Sequence, residues 1–171
     1  MTASIRSNPG GSLMKYWERC NAFPGGRFLF SRVIGRLIPY SGSIGFQVES
    51  LQRGRATVTL KDRRRVRNHL NSIHAMALAN LGEVVTGLSV LSAAPQNTRG
   101  ILLRFEIDYP HKARGQLTAD CDVLEQKSLL EGVEGYPTDI TATGYIRDSE
   151  DRVVAVVSST WRIDNAPAQG A

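Results

Sequence analysis

Apolar residues change their spacing several times along the chain, and each change marks an element. Leu13 to Cys20 and Arg27 to Ile38 carry helical spacing and are separated by the turn Pro24-Gly25-Gly26, with Pro39 ending the second segment. From Gly42 the period drops to two. Ile44, Phe46 and Val48 alternate with polar residues, and Ala56, Val58 and Leu60 do so again after Arg53-Gly54, which predicts two paired strands. Ile73 to Ala94 is apolar on nearly every side and predicts one long helix over about 73–92, closed by Ala94-Pro95. Beyond it, Ile101, Leu103, Phe105, Ile107 and Tyr109 are expected on one face of a strand, with Arg104, Glu106 and Asp108 on the other. Leu117, Ala119, Cys121 and Val123 read as the next strand. Ile140 to Ile146 and Val153 to Trp161 read as two more, around a turn at Asp148 to Asp151.

A helix that is apolar all round, in a chain whose strands alternate, requires a sheet that wraps it on more than one side. The expected fold class is therefore α+β, a curled antiparallel sheet around one central helix with helical segments before it. Pattern alone leaves other α+β folds open. A chain of 171 residues suits one domain, taken as 13–164 between loose tails at 1–12 and 165–171.

Composition narrows the function classes. With 42% hydrophobic and 22% charged residues the chain is neither disordered nor fibrous. The long apolar segment has nearly the length of a membrane span, but His74, Asn80, Glu83 and Thr86 interrupt it, and an acid at mid-span costs about 2.5–3.5 kcal/mol. A core helix is expected instead, with no membrane as partner. Cys20 and Cys121 lie far apart without metal-ligand spacing, so neither a zinc site nor a disulfide framework is expected; no metal is assigned, and reduced thiols in a cytoplasm fit. No secretory leader is recognised at the N-terminus.

Charge is unevenly spread: residues 1–75 hold 13 Lys/Arg against 3 Asp/Glu, and the remainder 8 against 13. Its densest point is Arg63, Arg64, Arg65 and Arg67. Three readings stay open: a solvated turn, a cradle for the phosphates of coenzyme A through guanidinium forks, or a nucleic-acid surface. The last lacks interleaved aromatics, and no nucleic acid is expected.

The stretch NHLNSIHAMALANLGE, Asn68 to Glu83, resembles the active-site segment of hotdog-fold thioesterases of the phenylacetyl-CoA thioesterase branch, or of a hotdog family of unknown function close to it. There an Asn precedes a His-Gly-Gly helix start by six residues, and an acid follows the His by nine; Asn68, His74 and Glu83 keep that spacing. The resemblance implies a hotdog fold, a homodimer or tetramer in which Asn and acid meet across the subunit interface, and an acyl-CoA substrate with coenzyme A as its only cofactor-like part. Ala75 and Met76 stand where the family has glycines. The hydroxyl residue some relatives carry after the helix is missing at Gly100-Ile101.

Chemistry alone assigns similar roles. Thioester hydrolysis needs a polarised carbonyl and an activated water. Backbone N–H groups of His74 and Ala75, at a helix start, would receive an oxyanion. Glu83, the one acid in the apolar helix, would be general base, its pKa raised by burial. Asn68 would orient water or bind the carbonyl, and also suits a turn. His74 itself also suits a cap. The alternatives are a non-catalytic acyl-CoA or acyl-carrier binding domain, or a hydratase/dehydratase using Glu83 with His69.

Overall fold

The computed structural model describes residues 9–124 and 137–165; the outer parts of both expected tails lie outside these. Helix α1 (Pro9–Asn21) turns back on α2 (Gly26–Leu37). Gly25 at the turn has φ 80°, a left-handed conformation that favours glycine. The hairpin is fixed from inside by Trp17 against Phe30, edge to face at 5.1 Å between ring centres. Pro39 then opens a single turn, α3 (Pro39–Gly42), its missing N–H falling where a helix has no partner for one.

Strands β1 (Gln47–Gln52) and β2 (Arg55–Leu60) form the first hairpin, turning at Gly54 with φ 77°. Helix α4 (Ala75–Ala93) follows, then β3 (Thr98–Asp108), β4 (Leu117–Asp122), β5 (Thr138–Arg147) and β6 (Val153–Asn165). All strand pairs are antiparallel, in the order β1-β2-β4-β5-β6-β3. The sheet curls so far that all six strands touch α4, while α1 packs on α4 and reaches both edge strands, β1 and β3. The result is a hotdog fold whose open side is capped by the N-terminal helices.

Burial explains why α4 lacks an ordinary polar face. Its Ser and Thr hydroxyls are consumed by carbonyls: Ser89 Oγ donates to Val85 and Cys121, and Ser92 Oγ to Gln52 while accepting the Gly54 N–H. Close approach to the sheet depends on small residues. A Cβ at Gly82 would collide with the Val157 side chain.

One expectation fails in β3. The ladder to β6 slips between Leu102 and Arg104, a bulge at Leu103. One extra residue reverses the facing pattern. Leu102, Phe105 and Ile107 therefore pack on the core, whereas Ile101 and Leu103 stay 43% and 47% exposed. The five residues expected on one face are split between two.

Candidate active site

Two clefts among the described residues meet α4: Glu83 lines one, His74, Arg65 and Arg67 line the other, and Asn68, Ala75, Arg63 and Arg64 line neither. The larger, ≈ 390 Å³, runs beside Glu83, Gly87 and Leu91 and is closed by Leu13 of α1, Ile34 of α2 and Trp161 of β6. Its lining is apolar except for Glu83, Ser41 and Arg99. Helical geometry makes this possible, since residues 83, 87 and 91 rise on one face. Gly87 admits the Trp161 ring; an added Cβ would stand 3.0 Å from it. The Glu83 carboxylate has no hydrogen-bond or ion-pair partner among the described residues, and burial pushes its pKa above the usual carboxylate value.

The smaller cleft, ≈ 190 Å³, lies at the start of α4 between His74, Met76 and Asn80 on one side and Tyr40, Arg65 and Arg67 on the other. His74 is the N-cap: its Nδ1 accepts the Met76 N–H at 3.0 Å, which assigns the ring proton to Nε2. The His74 N–H donates to Val66 O at 2.8 Å, because residues 67 and 73 form a short antiparallel bridge. Of the two expected oxyanion donors, His74 is thus engaged within the chain. Ala75 N–H keeps no acceptor among the described residues. Met76, 56% exposed, fills space that a glycine would leave open.

Asn68 works on its own loop. Its Oδ1 accepts from Leu70 N–H (2.9 Å), Ser72 N–H and Ser72 Oγ (both 3.2 Å), and Ser72 O takes its N–H. His69 is exposed in the same loop and does not line the Glu83 cleft. Arg67 is bound to Asp62 at 2.6 Å and holds that carboxyl below its usual pKa. Arg63 and Arg65 extend past Gly45, and Arg64 is exposed on a 3-10 turn. Asn68 and Glu83 do not share a cleft, and His74 and Glu83 are separated by nine residues of helix, roughly 14 Å of rise.

Two residues not assigned from sequence belong here. Asn80 is buried, its Oδ1 has no donor among the described residues, and its Nδ2 makes a long 3.4 Å contact to Tyr40 O. An orphaned buried acceptor costs about 1–3 kcal/mol, so its retention in an apolar helix is itself a signal. Tyr109 donates through its hydroxyl to Ala75 O at 3.1 Å and steadies the first turn. Cys121 offers no nucleophile: burial pushes its thiol up to about 11. No cluster of metal-ligating side chains occurs among the described residues.

Comparison with known proteins adds a family. The model described as "Domain of unknown function (DUF4442)" matches residues 26–163. The chain belongs to the DUF4442 family. That span begins at α2 and ends within β6, so it takes in both clefts except for Leu13 of α1, which lines the larger one. No curated protein matches the chain. Among solved structures, the DUF4442 chain is similar to the structural-genomics protein APC5556, 26% identical with TM-score 0.73, covering 90% of this chain and 99% of that one. A conserved protein, PA5202, from Pseudomonas aeruginosa is 25% identical over 72% of this chain and 92% of its own, with TM-score 0.62. A thioesterase from Haemophilus influenzae is 14% identical, TM-score 0.65, covering 77% and 87%. At that identity the last likeness is one of fold.

Proposed function

We propose that this chain is an acyl-CoA thioesterase acting as a homodimer, with Glu83 as general base. The observation that carries the reading is a carboxylate without a partner among the described residues, raised in pKa, inside a cleft of ≈ 390 Å³ whose lining is apolar apart from Glu83, Ser41 and Arg99. Such a group accepts a proton near neutrality better than an ordinary carboxylate does. Water, deprotonated by Glu83 of one protomer, attacks the thioester carbonyl; the tetrahedral oxyanion is received by the N–H of the partner subunit's Ala75 at the start of its α4. Collapse breaks the C–S bond, the thiolate recovers the proton from Glu83, and a carboxylic acid and coenzyme A leave. The acyl chain occupies the larger cleft, and Arg63, Arg64, Arg65 and Arg67 bind the phosphates.

Distance supports the dimer. Glu83 and the start of α4 are too far apart in one chain to act on one carbonyl, and the outer edge of β3 carries no partner strand among the described residues. Pairing of two β3 edges would bring Glu83 of one protomer toward the Asn68–Ala75 segment of its partner. With both cysteines free, a reducing compartment such as the cytoplasm is part of the proposal.

A non-catalytic acyl-CoA binding domain is the second reading, favoured by the Met76 side chain in the smaller cleft and by the engaged Oδ1 of Asn68. The test is thiol release from acyl-CoA esters of graded length, with enoyl-CoA hydration measured in parallel. Turnover of a thioester supports hydrolysis. Binding of every ester without turnover of any would replace it by the second reading.

A further inference from the structure

The hairpin of α1 and α2 presents a face that neither the core nor the clefts use. Phe23, Phe28 and Leu29 cluster at its tip and are 46%, 61% and 47% exposed. They are held outward by structure beneath them. Gly26 N–H donates to Phe23 O at 3.1 Å, Leu29 N–H to Gly25 O at 3.1 Å, and the Trp17–Phe30 contact locks the two helices. Gly26 sits so close to Cys20 O that a Cβ there would overlap it, so the turn between the helices is tight.

The same two helices carry cations. Arg19, Arg27, Arg32 and Arg36 are exposed on the same two helices, against Glu18 on α1 and Glu49, which approaches Arg27 at 4.0 Å. Arg32 lies over the Phe28 ring at 5.9 Å. Arg32 and Arg36 also border a groove of ≈ 350 Å³ whose wall at Gly45 is flanked by the Arg63 and Arg65 guanidiniums, so the positive face continues beyond the hairpin.

We propose that the α1–α2 tip docks on an anionic lipid surface, with Phe23, Phe28 and Leu29 entering the headgroup boundary and the arginines meeting lipid phosphates. Protruding aromatic and aliphatic side chains with Arg on the same helices suit such a surface. A second copy of the chain does not suit it, because a two-fold contact through this face would set arginines against arginines. Docking has a use. The apolar cleft beside Glu83 is walled by Leu13 and Ile34 of the same hairpin, and Ile34 lies six residues from Phe28, roughly 9 Å along α2. An acyl chain leaving or entering the bilayer would meet the cleft near the surface. This departs from the sequence expectation of no membrane partner, which concerned a spanning helix.

The experiment is co-sedimentation of the full chain with phosphatidylcholine vesicles, with and without phosphatidylglycerol, at low and high salt. The wild type is expected to pellet with the anionic vesicles and to be released by salt. Phe28→Ser with Leu29→Ser, and separately Arg32→Glu with Arg36→Glu, should each weaken binding on the order of tenfold or more. Unchanged thermal melting of each pair shows that the fold is kept. Wild type that stays in the supernatant, or variants that bind as wild type does, would overturn the proposal. So would a shift of the Ser pair from dimer to monomer in sedimentation velocity, which would make the tip a contact between copies. No outcome depends on hydrolysis.

Discussion

Asn68 and Glu83 are matched by the same motif, yet their surroundings ask for different experiments. Asn68 Oδ1 accepts three hydrogen bonds from its own loop, so Asn68→Ala should cost about 1–3 kcal/mol of stability. Asn68→Asp keeps an acceptor at that position and should retain both the fold and most of the activity. Equal loss of turnover in both variants, with melting unchanged, would instead give the amide a direct part in the reaction. Glu83 carries the opposite sign. Its folded-state pKa is raised by burial, so its contribution to stability is present at pH below the ordinary carboxylate range and lost as pH rises through the folded value. Glu83→Gln should therefore melt higher than wild type at neutral pH, and the difference should close on acidification. In the wild type, kcat/KM should rise with pH through an apparent pKa above 4.5, the ordinary value for the group. A Glu83→Gln protein that is less stable at neutral pH would mean that the carboxylate has a partner the cleft does not reveal.

At the scale of elements, the strand β3 has the most to say. Its bulge at Leu103 turns Ile101 and Leu103 outward on an edge with no neighbouring strand among the described residues, and unpaired apolar edges invite a partner strand. Leu103→Lys should convert a dimer to a monomer in sedimentation velocity and abolish turnover together with dimerisation. An active monomer would refute the shared site. This strand also marks where the sequence stopped being legible. Alternation reports facing only while the register is unbroken, and a single inserted residue leaves no compositional trace, so all five apolar residues were expected together. The central helix was legible for the converse reason: an all-round apolar segment has few ways to be buried, and a wrapping sheet is one of them. Asn68, His74 and Glu83 were matched through the resemblance to a thioesterase motif, but that match could not tell that the His74 N–H bonds to Val66 O or that Asn68 Oδ1 is committed to its loop. Those bonds depend on the tertiary course of residues 62–74. The N-terminal helices were recognised as helices, whereas their part in walling the Glu83 cleft depends on how they cross α4.

Across the whole molecule, labour is divided among a sheet-and-helix core, a capping hairpin that walls one side of an apolar cleft, and a basic turn near the start of α4. Arg63 and Arg65 should accordingly affect substrate capture. Replacing both with Ala should raise KM with little change in kcat, as loss of uniform binding does. A fall in kcat at unchanged KM would assign the turn to the chemical step. The central claim, however, rests on one side chain. Thiol release from the best acyl-CoA substrate should be followed for wild type and Glu83→Gln, alongside calorimetric affinity for a non-hydrolysable analogue. Loss of turnover on the order of 10² to 10⁴ with affinity kept is the expected result for a general base. Equal turnover in the two proteins would contradict the account and leave Glu83 as a half-buried acid without a catalytic role.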